Sequence, residues 1–168
     1  MYIITNGEKL MQWQDVLADK TLQDLPYKIE LNEKGNIEMS PTSLTHSFLQ
    51  AEITWYLRNQ LHGHAFTELA IQTSKGVKVP DVAWCTTEFM SQHKDELFAS
   101  SAPEICIEIL SPSNTPKEMV EKIQLYIEAG AKEVWLVTEA GQITFYDIDG
   151  ETNSSQFDIN IDNITLNI

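Results

Sequence analysis

Positive charge is scarce in this sequence: 11 lysines and arginines stand against 25 aspartates and glutamates in 168 residues, a formal charge of −14. Such a chain has no net attraction for nucleic-acid phosphates, so a substrate of that kind must be met by a local site, by bound cations or by another subunit. Cysteine is nearly absent. Cys85 and Cys106, each inside an apolar run, read as small buried hydrophobes of a reducing compartment rather than as a disulfide framework. No uncharged apolar stretch approaches the ~20 residues a bilayer span needs. The opening Met1-Tyr2-Ile3-Ile4 lacks the basic start of a secretory leader, so a cytoplasmic protein without a membrane segment is expected. Repeats, low-complexity blocks, phosphate-cradling glycine loops, nucleophile elbows and dinucleotide fingerprints are all missing. What remains is a chain with 42% hydrophobic residues, enough to bury a core unaided. One domain is expected over 1–168, with a core of about 27–147 and a C-terminal strand extension over 148–168.

The periodicities alternate between those of strands and helices. A short helix is predicted from Trp13 to Asp19, and a strand over Tyr27–Leu31 turns through Asn32-Glu33-Lys34-Gly35 into Asn36–Met39. Leu44, Phe48, Leu49, Tyr56 and Leu57 recur at helical spacing behind a capping Ser43, predicting a long helix to about Gln60. Ala65–Gln72 and Val77–Trp84 read as antiparallel neighbours, and a short helix is expected in the polar stretch 91–101. Glu104–Leu110 is the strongest strand, with its isoleucines on one face and Cys106 and Glu108 on the other. Thr115, Pro116 and Glu118 form a capping-box signature for a helix that Gly130 ends. Glu133–Val137 and Ile143–Asp147 follow as a hairpin, and strand, helix, strand from Ile105 to Val137 implies a right-handed parallel crossover. The fold class is therefore α/β with a mixed sheet. The alternating tail from Phe157 to Ile168 predicts one or two edge strands.

Three ionisable residues have neighbours that imply burial. Asp81 follows Pro80 within an apolar run, Glu108 lies in the isoleucine-rich strand, and Lys122 borders the stripe of Met119, Ile123, Tyr126 and Ile127. A buried carboxylate needs compensation, and a divalent cation or a lysine is the usual source. Two hard carboxylates on adjacent strands suit Mg2+ or Mn2+, and a nearby ammonium suits orienting a water or stabilising a pentacovalent phosphorus. Taken singly, each has a plainer reading: Glu108 on a half-exposed face, Asp81 in a turn, Lys122 in an ordinary i, i+4 pair with Glu118. His62-Gly63-His64 lacks further ligands at zinc spacing and reads as a loop. Trp13, Trp55, Trp84 and Trp135 read as packing residues.

The runs Pro80-Asp81-Val82-Ala83, Pro103-Glu104-Ile105-Cys106-Ile107-Glu108-Ile109-Leu110-Ser111-Pro112-Ser113, Lys122-Ile123-Gln124-Leu125-Tyr126 and Ala129-Gly130-Ala131-Lys132-Glu133-Val134-Trp135 resemble the Uma-two family of bacterial nucleases. That family belongs to the restriction-endonuclease-like PD-(D/E)XK superfamily, and the resemblance extends from about Tyr27 through Met39-Ser40-Pro41 and His46 to about Tyr146. It implies a restriction-endonuclease-like fold, with a four-stranded mixed core sheet flanked by helices. It also implies a metal held by Asp81, Glu108 and the Ile109 backbone carbonyl, with Mg2+ or Mn2+ as cofactor. The lysine usual two residues after the acid is absent, because Leu110 stands there; the resemblance transfers that role to Lys122. Ser111 would support Glu108 or the strand end, and His46 would either approach the site or make a local bond at its helix start. The implied activity is Mg2+-dependent phosphodiester hydrolysis of nucleic acid, DNA in particular, by a protein that could pair as a homodimer. A non-catalytic binding or assembly module on the nuclease fold, and a metal-independent hydrolase using Asp81 and Glu108 as an acid and base pair, both remain open at this point.

Overall fold

The computed structural model describes residues 3–4 and 10–161. In chain order its elements are β1 (Ile3–Ile4), α1 (Trp13–Ala18), a 3-10 turn at Lys20–Leu22, β2 (Tyr27–Asn32), β3 (Ile37–Pro41), α2 (Leu44–Gln60), β4 (His64–Thr67), β5 (Ile71–Thr73), β6 (Gly76–Lys78), β7 (Val82–Cys85), α3 (Thr87–His93), β8 (Ile105–Ile109), α4 (Pro116–Glu128), β9 (Glu133–Val137), β10 (Ile143–Asp147) and β11 (Gly150–Thr152). The strands form two sheets, β1-β3-β2-β6-β5 and β11-β10-β9-β8-β7-β4. Among the described strands all pairings are antiparallel except β8 with β9, where Glu108 lies opposite Leu136 and Ile105 opposite Glu133. The class is mixed α/β as expected, but the second sheet has six strands rather than four, and a five-stranded sheet stands beside it.

The helices are placed by their apolar faces. In α2, Leu49, Ile53 and Leu57 are fully buried against Val82, Ile105, Ile107, Trp135 and Val137 on one face of the larger sheet. Each such aliphatic side chain contributes about 1.5–3 kcal/mol by leaving water. Tyr126 of α4 is buried on the opposite face with Cys106 and Val134. The α4 start is built as predicted: the Thr115 hydroxyl accepts the Glu118 amide at 3.2 Å, Glu118 returns a contact to the Thr115 amide, and Pro116 needs no partner. Gly130, at φ +117°, turns the chain out of the helix. The smaller sheet buries Leu31, Ile37, Met39, Val77 and Val79 against Trp13 and Val16 of α1.

Three expectations need correction. Ala65–Gln72 and Val77–Trp84 are not continuous strands. The hairpin splits between sheets, β4 pairing with β7 and β5 with β6. The break falls at Glu68, whose φ of +57° a regular strand cannot carry, and opposite it at Val79-Pro80-Asp81. The helix expected in 91–101 lies earlier, at Thr87–His93, because the Thr86 hydroxyl caps the Phe89 amide at 3.2 Å. The tail from Phe157 to Ile161 is not a strand: Phe157, Ile159 and Ile161 join the α2 core, while the main chain of Asn160 is held by both polar ends of the Gln60 side chain. The edge of the sheet is formed by β11 instead, and 162–168 lie outside the described residues. No helix among the described residues is long and apolar enough to cross a membrane.

Candidate active site

The split hairpin creates the site. Where the chain leaves β6 for β7, the Val79 amide donates to Glu30 Oε1 at 2.8 Å, and two residues later the Asp81 side chain turns under the end of β8. Its Oδ2 accepts the Ile109 amide at 2.7 Å. Its backbone carbonyl is held by Gln50 Nε2 at 2.8 Å and by the amide of Glu68 at 3.2 Å. Asp81 is thus fixed by main-chain bonds at both ends of the residue, which sets the carboxylate to well under the freedom of a surface side chain.

Around it stand groups from four other elements. Lys28 Nζ donates to Asp81 Oδ1 at 2.6 Å and to Glu108 Oε2 at 3.1 Å. Lys122 Nζ bridges Glu108 Oε1 and Glu30 Oε1, each at 3.0 Å. The Tyr126 hydroxyl donates to Glu108 Oε1 at 2.7 Å. His46 Nε2 lies 3.2 Å from Asp81 Oδ1. The carboxylates and lysines of this cluster are each 8% exposed or less. Three carboxylates thus make direct contact with two ammonium groups, and the buried Lys78, paired with Glu38, adds a further positive charge near Glu30.

The electrostatics follow from that geometry. Burial alone would favour the neutral acid at Asp81, yet the Lys28 ammonium and the His46 ring hold its carboxyl well below the usual carboxylate range. Glu30 behaves likewise: burial opposes its charge, and Lys122, Lys28 and Lys78 outweigh it. Burial would also strip the protons from Lys28 and Lys122, but the surrounding carboxylates push both above the ordinary lysine value. Burial, with Glu108 beside it, raises the Tyr126 hydroxyl well above the usual tyrosine value, so it stays a donor.

The residues singled out from sequence fall unevenly. Asp81, Glu108 and Lys122 converge, and the His46 ring reaches Asp81 rather than its helix start, where Ser43 caps the His46 backbone amide at 3.1 Å. Lys122 does not pair with Glu118; its ammonium is committed to Glu30 and Glu108. Ser111 touches none of the site carboxylates. Its amide and hydroxyl bind Asn114 Oδ1 at 2.8 and 3.1 Å, closing the turn ahead of α4. Ile109 engages the site through its amide. Lys28, Glu30, Gln50 and Tyr126 were not anticipated. The one local signal for the first two is the alternation in β2, which puts Lys28 and Glu30 on the face opposite Ile29 and Leu31.

A cleft of about 30 Å3, the space of one small ligand atom group or water, opens onto Lys28, His46, Asp81, Glu108, Ile109, Ser111 and Lys122. Oxygens of Asp81 and Glu108 converge on a single cationic position, now taken by the Lys28 ammonium, and such a pair of hard oxygens fits a divalent cation. Among the described residues, no group of three or more His, Cys, Asp or Glu side chains is arranged to hold a metal. An ion between Asp81 and Glu108 would therefore need a main-chain carbonyl and waters to complete its shell, as Mg2+ readily accepts.

Among solved structures, that of a "putative nuclease belonging to DUF820" from Anabaena variabilis matches at a TM-score of 0.58, with 24% identity over 77% of this chain and 76% of the other. The likeness establishes the restriction-endonuclease-like fold. No curated protein gives a significant match. The family model Uma2, described as "Putative restriction endonuclease", matches residues 15–161 and so takes in every strand but β1 and every residue of the buried cluster. The chain belongs to the Uma2 family of restriction-endonuclease-like proteins.

Proposed function

We propose that this protein is a metal-dependent nuclease that hydrolyses phosphodiester bonds in DNA, using Mg2+ or Mn2+ held by Asp81, Glu108 and the Ile109 carbonyl. The observation that carries the reading is the convergence of two buried carboxylates, Asp81 anchored by the Ile109 amide and Glu108 by Lys122 and Tyr126, on one cationic position at the C-terminal end of a parallel strand pair. The family description supports a DNA substrate. A bound divalent cation supplies Lewis acidity toward a phosphoryl oxygen and lowers the pKa of a bound water.

The chain's own residues divide the remaining work. Before metal loads, Lys28 and His46 outweigh burial and hold the Asp81 carboxyl below the usual carboxylate range, so it is ready as an anionic ligand. Tyr126 and Lys122 fix Glu108 Oε1, leaving Oε2 directed toward Asp81. Lys122, held by Glu30 from its other side, is the ammonium that orients a water toward the phosphorus and offsets charge as it develops. An acid and base pair of the glycosidase kind fits less well: such chemistry needs one protonated carboxyl, whereas Glu108 accepts from two ammonium groups and a hydroxyl.

The test is a plasmid and single-strand cleavage assay on the wild type and Asp81→Ala. Cleavage that needs Mg2+ or Mn2+, stops with EDTA and is missing in the variant supports the reading. Cleavage unaffected by EDTA or by the substitution overturns it.

A further inference from the structure

We propose that Lys28 is an internal competitor for the metal position, so that metal loading requires its ammonium to leave. The inference rests on the proposal that Asp81 and Glu108 hold a divalent cation. Lys28 Nζ lies 2.6 Å from Asp81 Oδ1 and 3.1 Å from Glu108 Oε2. The other two oxygens are committed: Asp81 Oδ2 to the Ile109 amide, Glu108 Oε1 to Lys122 and Tyr126. The pair of oxygens left to converge on an added cation is therefore the pair that Lys28 already bridges, with Asp81 Oδ1 also 3.2 Å from His46 Nε2. Two cations cannot share that position in a buried, weakly screened setting.

On leaving, the ammonium would turn into a groove of about 300 Å3 that Lys28 also borders, walled largely by apolar residues such as Trp13, Val16, Leu22 and Ile29 and carrying the Glu68 carboxylate. Glu68 is exposed at the break between β4 and β5, and its amide already binds the Asp81 carbonyl. A lysine has the flexible stem and compact charge for such an exchange, and Glu68 offers a carboxylate to receive it. Lys122 has no such freedom, since it is clamped between Glu30 and Glu108.

The device keeps the acidic cluster neutralised without metal and sets a threshold for loading. Apparent metal affinity is reduced by the fraction of molecules in which Lys28 stands aside, so a tenth standing aside would weaken binding about tenfold. Lys28→Met keeps the stem and removes the charge. Calorimetric titration with Mg2+ is expected to show at least about tenfold tighter binding in this variant than in the wild type. Equal or weaker binding in Lys28→Met, with clear binding in the wild type, overturns the competition and leaves the metal site standing. Absence of Mg2+ binding in both proteins overturns the competition together with the metal reading on which it rests. Should Lys28→Met fail to fold, reductive methylation of the wild type, quantified residue by residue, gives the same decision. Saturating Mg2+ is expected to increase methylation of Lys28 and leave Lys122 protected; unchanged Lys28 methylation in the presence of bound Mg2+ refutes the proposal.

Discussion

Two buried acids stand at opposite ends of the one parallel strand pair, and they are satisfied in different ways. Glu133 opens β9, where it accepts the Trp135 indole N–H at 2.7 Å, the Ser155 hydroxyl at 2.7 Å and the Gln156 amide, all neutral donors. Glu108, near the C-terminal end of β8, meets two ammonium groups and a tyrosine hydroxyl, with Asp81 and Glu30 close by. Neutral donors pin the segment after β11 to the sheet and close the account of Glu133. Around Glu108 five charged groups from β2, β8, α4 and the turn before β7 come together, an arrangement with a large desolvation cost and little stability to show for it over apolar packing. The difference teaches that burial of an acid alone does not mark a site. Charge assembled in excess of what the fold needs does.

Substitutions should separate the two ends. Glu108→Gln is expected to cost at least about 100-fold in metal-dependent cleavage, since removing even a supporting partner of a metal ligand costs 10–100-fold; a plasmid assay checks this. Glu133→Ala should destabilise by about 1–3 kcal/mol, because its donors lose a buried acceptor, and should leave Mg2+ affinity unchanged. Urea unfolding and calorimetry read the two effects, and a change in metal affinity there would erase the contrast. Tyr126→Phe should sharpen it, with about a tenfold loss of Mg2+ affinity through a less firmly held Glu108 and about 1 kcal/mol of stability.

The pH dependence belongs to the charged end. Asp81 and Glu30 have depressed carboxyl pKa values, so their contribution to stability is whole above the ordinary 3.8 and 4.5 and is lost as pH falls toward the native values. Lys28 and Lys122 are raised, so theirs is whole below the ordinary 10.5 and is lost as pH climbs past it. Glu30→Gln should flatten the acid limb of denaturant midpoints measured between pH 3 and 6; an unchanged limb would show that Glu30 does not titrate with folding.

Local pattern reached the sequence-adjacent half of this picture. The capping box of α4, the hairpins β2–β3 and β9–β10, and the alternation of Ile105, Ile107 and Ile109 against Glu108 all follow from rules spanning a few residues. Asp81, Glu108 and Lys122 stood out because each interrupts an apolar pattern. Lys28 and Glu30 did not, since a strand alternating Ile with Lys and Glu reads as half-solvated. Their partners lie far along the chain, Asp81 and Lys122 being 53 and 92 residues away, and no short-range pattern encodes such pairing. Helical spacing puts Tyr126 in the buried stripe of α4, but its hydroxyl bond to Glu108 becomes visible when α4 is laid over β8. The division of one hairpin between two sheets escaped for a related reason: Glu68 adopts a left-handed φ that its side chain does not advertise.

The most direct test of the central claim is calorimetric titration of Mg2+ into the wild type, Asp81→Asn and Glu133→Gln. The account predicts binding to the wild type and to Glu133→Gln with similar affinity, and none to Asp81→Asn. Equal binding by all three proteins would contradict it, as would no binding by any of them.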